Sequence, residues 1–178
     1  MARHRHDPSK DLVGFLVGDV MYAVRIEVVR EIVNPLVVVD LPRAPKAVKG
    51  VADYRGEVVP VIDLRERFGL PPQPRSRKTK WIVLDVGAGR KSPATAPGSA
   101  ARYAALVVDS VTEVFGLAGG ELRPAPPLGP GDDMRGIEGV TTLGARLVFV
   151  LDAPAFGAVT RAALETNVDS GSILPGTT

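Results

Sequence analysis

The chain has 178 residues, 22 Lys+Arg against 20 Asp+Glu for a net charge of +2, and no cysteine; its two histidines are His4 and His6. A length of this order sets a prior of one domain or two very small ones. Without Cys there is no thiol nucleophile, disulfide framework, iron–sulfur centre or Cys-ligated zinc, and a Ser-His-Asp triad or His-rich metal site would have to be built from the first six residues. The net charge also shows that a pI near 9.1 overstates how basic the protein is.

In chain order, residues 1–11 are polar and charged and are expected to form a mobile tail. Leu12–Val17 and Val20–Arg25 are β-branched or aromatic runs around Gly18-Asp19, a two-residue hairpin signal. Ile26–Val33 carries apolar residues at 26, 28, 29, 32 and 33, closer to a helical stripe than to strict alternation, and Asn34-Pro35 breaks it. Leu36–Asp40 is expected as a strand. Val51–Tyr54 and Glu57–Ile62 form a hairpin turning at Arg55-Gly56. Asp63 followed by Glu66 predicts a capping box for a short helix over Leu64–Phe68.

Gln73–Lys80 reads as a basic linker, and Trp81–Val86 and Tyr103–Val108 as strands. The stretch 87–102 between them is rich in Gly, Ala, Ser and Pro and is expected to be a disordered hairpin excursion, having too little apolar surface to offset its ordering entropy. Val111–Leu117, Val140–Leu143 and Arg146–Leu151 follow as strands. Asp152 is expected to cap a short helix with Pro154 in its first turn, and residues 166–178 are expected to be a tail. The longest apolar runs are five or six residues, such as Tyr103–Val108, where a spanning helix needs roughly 18. No apolar stretch with a cleavage site opens the chain, so a cytoplasmic location without membrane insertion is expected.

An internal repeat runs through this layout. Residues 23–33 lie over 105–115 at an offset of 82, Leu41–Pro45 over Leu122–Pro126 at 81, and Gly50–Asp63 over Gly139–Asp152 at 89. The last block shares five identities in fourteen, at 50, 51, 59, 61 and 63, where average usage gives about one. The drift in offset falls in the Gly/Pro-rich loop 127–138, where an insertion costs little. Two copies of a mostly β unit are implied. Each would close as a small barrel to remove its edges, and both would share an interface because one alone has a marginal core. A groove between them is the natural binding site.

The run Val48–Arg65, with Gly50-Val51, Arg55-Gly56, Pro60 and Asp63-Leu64-Arg65, closely resembles the signature of the CheW-like coupling proteins of bacterial chemosensory arrays. Gly18-Asp19, Tyr22, Val29–Ile32, Phe68-Gly69, Leu106–Val114, Leu122–Pro126 and Leu143-Gly144 match in the same order, so the resemblance covers about 12–157. It implies a mainly β fold of two pseudo-repeated, SH3-like five-stranded β-barrels packed together, with short helices. The subdomains would be roughly 20–75 and 76–157, the N-terminal strand packing between them.

The resemblance also implies a non-enzymatic adaptor recruited to receptor arrays, without cofactor or metal. Its implied partners are the signalling tip of a methyl-accepting chemoreceptor and the regulatory domain of a CheA-like histidine kinase. By position it assigns Glu31 and Arg55 to coupling and Gly50 to a glycine needed for it. Val29 and Thr79 fall at receptor-contacting positions, and Lys80 beside the receptor groove. Three departures mark this chain: Asp53-Tyr54 stands for Asn-Leu, Lys80 for an apolar residue, and the 87–102 hairpin is long. They leave open a specialised paralogue that binds only receptor or only kinase.

From spacing alone, Arg55 is a solvated turn arginine and Glu31 a surface charge. Asp63 is a helix cap, Gly50 and Gly139 are backbone requirements, and Trp81 belongs to the core or lines the inter-barrel groove. Two other classes compete. A small-barrel nucleic-acid binder would need aromatic platforms among its basic residues, and only 5% of this chain is aromatic, so no nucleic acid is expected. A hydrolase would use Asp63, Asp109 and Asp152, but 63 and 152 end apolar strands at equivalent repeat positions, as caps do.

Overall fold

The computed structural model describes residues 7–87, 101–117, 122–125 and 136–168. Most of the 87–102 excursion and of the two expected tails lies outside them. The elements are β1 (Leu12–Val17), β2 (Val20–Arg25), β3 (Val29–Val33), β4 (Val48–Tyr54), β5 (Glu57–Asp63), α1 (Leu64–Arg67), β6 (Lys80–Asp85), β7 (Tyr103–Val108), β8 (Ser110–Phe115), β9 (Ile137–Leu143), β10 (Arg146–Leu151) and α2 (Ala153–Val168), with 3-10 turns at Pro8–Lys10 and Ile26–Val28.

Most expected hairpins form where the turn residues put them. Gly18 turns β1 into β2 at a φ of 61°, setting Phe15 opposite Tyr22 and Val17 opposite Val20. Arg55 and Gly56, at φ 52° and 81°, turn β4 into β5. Successive positive φ values suit the right-handed twist of the flanking strands.

Three local expectations are corrected. Ile26–Val33 is a 3-10 turn followed by β3, not a helix. A β-bulge between Val29 and Glu31 breaks the alternation and produces the apparent stripe. The β-branched residues there favour a pleated surface, and an isolated eight-residue helix is marginal. The strand expected at Leu36–Asp40 reduces to one bridge, Val39 to Val51, with N–H···O distances of 2.8 and 2.9 Å. The capping box is half formed: Asp63 accepts from the Arg65 N–H at 2.8 Å, whereas Glu66 reaches Lys49 at 3.5 Å and Lys46 at 3.6 Å. The Asp63 N–H that the box would satisfy already donates to Ala47 O at 2.8 Å.

The strands form two five-stranded sheets, β8-β1-β2-β10-β9 and β3-β6-β7-β5-β4, hereafter sheets A and B. Advancing every strand by five, cyclically, turns one order into the other. The repeat is therefore an architectural pseudo-two-fold: β4 and β9 coincide at the offset of 89, and each repeat's last strand leads into a helix. The middle block needs adjustment. Val39 bridges Val51 and Arg123 bridges Val140, so Val39 corresponds to Arg123 at an offset of 84, not 81.

Each sheet draws on both repeats. Sheet A takes β1 and β2 from the first repeat and β8, β9 and β10 from the second; sheet B takes the complement. Each parallel junction, β2 with β10 and β5 with β7, joins the repeats within one sheet. β1 lies inside sheet A, between β8 and β2.

This exchange places three apolar clusters. Leu12, Met21, Ala23, Phe115, Val148 and Val150 fill sheet A, and Ala52, Tyr54, Val59, Val61, Trp81, Val83, Tyr103 and Ala105 fill sheet B. A third lies between the sheets and includes Phe15, Tyr22, Val24, Ile62, Ile82, Leu84, Leu106, Leu151 and Phe156. Central strands are buried on both faces, so β7 and β10 read as continuous apolar runs instead of alternating. Trp81, 1% exposed, belongs to the cluster of sheet B and not to the groove between sheets.

α2 extends past the expected tail boundary at 166, reaching Val168. Its Phe156 and Ala163 are buried in the central cluster, and burying a phenylalanine contributes about 2 kcal/mol. The Thr160 hydroxyl, also buried, donates to Gly157 O at 2.9 Å.

Candidate functional site

Polar contacts concentrate where the β4–β5 hairpin tip meets the edge strand β3. Glu31 points from β3 to Arg55 at the tip. Arg55 Nε donates to Oε2 at 3.0 Å and Nη2 to Oε1 at 2.9 Å, a two-point fork that fixes orientation as well as distance. The Tyr54 hydroxyl donates to the same Oε2. The Arg55 guanidinium lies 5.7 Å from the Tyr54 ring centroid, within cation–π range. Asp53 Oδ1 accepts from the Gly56 N–H at 2.8 Å, securing the turn from below.

The electrostatics follow from these contacts. Arg55, then Tyr54, stabilise the Glu31 carboxylate and hold its titration below the usual value. Burial and then Glu31 push the Tyr54 phenol up, so it remains a donor. The Arg55 side chain is 69% exposed although held at both ends, and that of Glu31 is 34% exposed. A non-glycine residue in the left-handed region costs about 1 kcal/mol, so this turn retains arginine against its backbone preference.

The other expected site residues occupy different places. Gly50 serves the backbone: at φ 150°, a Cβ on it would lie 2.1 Å from Val39 O. Its repeat equivalent Gly139 passes close to Arg123 O, where a Cβ would lie at 2.7 Å. Both glycines admit the isolated bridge. Val29 is half-buried on β3 opposite Leu84 and packs against the central cluster. Thr79 is only 8% exposed, and its hydroxyl accepts from the Ser76 N–H at 3.0 Å, so the side chain secures the turn before β6. Lys80 Nζ donates to Asn34 Oδ1 at 2.6 Å. Glu31 and Arg55 are thus brought together, while Lys80 and Thr79 stand at the start of β6.

Two features were missed from sequence. Tyr54 sits beside Arg55 at a departure from the family pattern, and that departure was the available signal. Tyr103, edge-on to Tyr54 at 6.3 Å and 78°, gave none, because its partner is 49 positions away. The repeat adds a further pattern: Ile32 and Val114, and Val58 and Leu147, occupy equivalent positions, and all four are exposed.

Two of the three carboxylates considered for hydrolysis, Asp63 and Asp109, serve the fold. Asp63 caps α1 and lies 3.5 Å from Lys49 Nζ. Asp109 accepts from Arg65 at 2.9 and 2.7 Å and from the Gly18 N–H at 2.7 Å, tying α1 to the β1–β2 turn and to the β7–β8 connection between the sheets. Burial, then Glu138, push the Asp152 carboxyl above its usual value. Among the described residues, no group of three or more His, Cys, Asp and Glu is placed to hold a metal, and no helix is long and apolar enough to cross a membrane.

Known proteins resemble this chain over most of its length. The chain is 30% identical over 160 residues to the chemotaxis protein CheW of Klebsiella aerogenes, covering 90% of this chain and 89% of that one. It is 33% identical over 125 residues to protein FrzA of Myxococcus xanthus, covering 68% of each. The crystal structure of the scaffolding protein TtCheW from Thermoanaerobacter tengcongensis superposes with a TM-score of 0.67 at 26% identity, covering 85% of this chain and 90% of that one. The model of the CheW-like domain matches residues 11–159, and the chain belongs to that family.

Proposed function

We propose that the chain is a non-catalytic adaptor that couples chemoreceptor signalling tips to the regulatory domain of a CheA-like histidine kinase and is recruited to receptor arrays. Family membership supports the adaptor class, and the names of its relatives support chemotaxis. The observation that carries the reading is Arg55. It occupies a strained turn position, is pinned by Glu31, and still exposes most of its side chain. A guanidinium fixed in this way recognises a partner at little further entropy cost.

Glu31 and Arg55 form the centre of the partner surface. Val29 shapes the β3 edge, and Lys80 sets the charge at the start of β6. Gly50 and Thr79 act through the backbone and turn they stabilise. The reading is tested by pull-down of a cognate receptor tip and a cognate kinase regulatory domain with wild type, Glu31→Lys and Arg55→Ala. Wild type is expected to retain both partners, and each variant to lose at least one. Binding of neither partner by wild type would sink the proposal. Binding of one alone would identify the specialised paralogue.

A further inference from the structure

We infer that Tyr54 is the positioning residue of the Glu31–Arg55 pair, holding the carboxylate by its hydroxyl and the guanidinium by its ring, so that both meet a partner in one orientation. The identity of that partner rests on the adaptor reading; the arrangement rests on this chain's geometry. An exposed Arg–Glu pair by itself contributes little, because ordering two long side chains offsets much of their attraction. Here a third group removes that freedom.

Three contacts converge on Tyr54. Its hydroxyl donates to Oε2 of Glu31, which also accepts from Arg55 Nε, while Oε1 accepts from Nη2. Both carboxylate oxygens are therefore occupied. Its ring lies under the Arg55 guanidinium at 5.7 Å. The ring itself is buried and braced edge-on by Tyr103.

Tyr103 is held in turn. Arg102 lies 5.2 Å above it and donates to Asp85 Oδ2 through Nε at 3.1 Å and Nη2 at 3.0 Å. The platform beneath Arg55 thus belongs to β4, β6 and β7, and the turn only carries the arginine. A leucine, the residue at the equivalent position 143, offers neither a donor nor a π face.

The test uses the full chain with Tyr54→Phe, Tyr54→Leu, Glu31→Gln and the double variant Tyr54→Phe/Glu31→Gln. Carbon-detected NMR follows the Glu31 carboxyl titration, and calorimetry measures binding to two probes, a cognate kinase regulatory domain and a cognate receptor-tip hairpin. Tyr54→Phe is expected to move the Glu31 titration upward and weaken binding about two- to tenfold, as for loss of one hydrogen bond. Tyr54→Leu should also increase the motion of the Arg55 Nε–H in relaxation measurements. Adding Tyr54→Phe to Glu31→Gln should cost no more than Glu31→Gln alone, because the two act through one contact.

An unmoved Glu31 titration in folded Tyr54→Phe overturns the inference, as do strictly additive binding losses. If wild type binds neither probe, the adaptor reading fails while the titration still decides the role of Tyr54.

Discussion

The two hairpin tips related by the repeat share a backbone and differ in what they carry. Gly50 and Gly139 admit the same isolated bridge, to Val39 and to Arg123. Tyr54 pairs with Glu57 across one tip, and Leu143 with Arg146 across the other. Both turns contain a residue at positive φ at the equivalent position, Arg55 at 52° and Gly144 at 59°. Glu31 and Glu113 also correspond, at the offset of 82. Glycine satisfies that turn at the lower conformational cost, and one tip uses it. Where the other tip keeps arginine, beside a tyrosine that holds its carboxylate, the side chains explain the choice. The shared features belong to the fold, and the unshared ones mark the proposed site.

The largest effect expected from breaking this comparison is at the shared glycines. Gly50→Ala should destabilise by about 3 kcal/mol, combining backbone strain and close approach. Gly139→Ala, where only the approach is tight, should cost about 1–2 kcal/mol. Chemical denaturation ranks them, and equal losses would mean that φ at Gly50 contributes nothing.

Next comes the tie that joins the two repeats. Burial pushes the Asp109 carboxyl up, but Arg65 and the Gly18 N–H outweigh it and hold the group below its ordinary value. With the folded value below the unfolded one, this stabilisation is present above about pH 4 and lost as pH falls through the folded value. Asp109→Asn should therefore lower stability at neutral pH by about 1–2 kcal/mol, allowing for partial exposure. It should also flatten the acid limb of the stability profile. An unchanged acid limb would place the proton-linked stability elsewhere.

The smallest effects concern the turn position itself. Gly144→Arg should cost about 1 kcal/mol, the left-handed penalty without a Glu–Tyr cradle. Arg55→Gly should leave stability almost unchanged, since relief of the turn offsets an exposed ion pair, yet should abolish partner capture. A large stability loss in Arg55→Gly would make the arginine a structural residue and weaken the contrast between the tips.

The fold was legible in the residues to the extent that its signals were local. Gly18-Asp19, Arg55-Gly56 and Asp63 marked turns and a cap that form where expected, and the repeat placed β4 over β9. The stripe at Ile26–Val33 misled because a bulge mimics helical spacing over so few residues. The family resemblance singled out Glu31 and Arg55 separately, but no local pattern joins residues 24 positions apart, and their contact is a product of the tertiary fold. Tyr54 could be noticed as a departure, but its contact with Glu31 depends on the β4–β5 tip meeting β3.

The sequence by itself determined the mainly β class, the duplication, most strand boundaries and the absence of thiol and histidine chemistry beyond the first six residues. These are properties of composition and short-range pattern. Tertiary structure decided which strands share a sheet, because apolar runs buried on both faces do not name their neighbours. Parallel pairing of β2 with β10 and β5 with β7 exchanges strands between the repeats. The same long-range packing sets Tyr54 against Tyr103 and Glu31 against Arg55, turning scattered polar residues into one oriented surface.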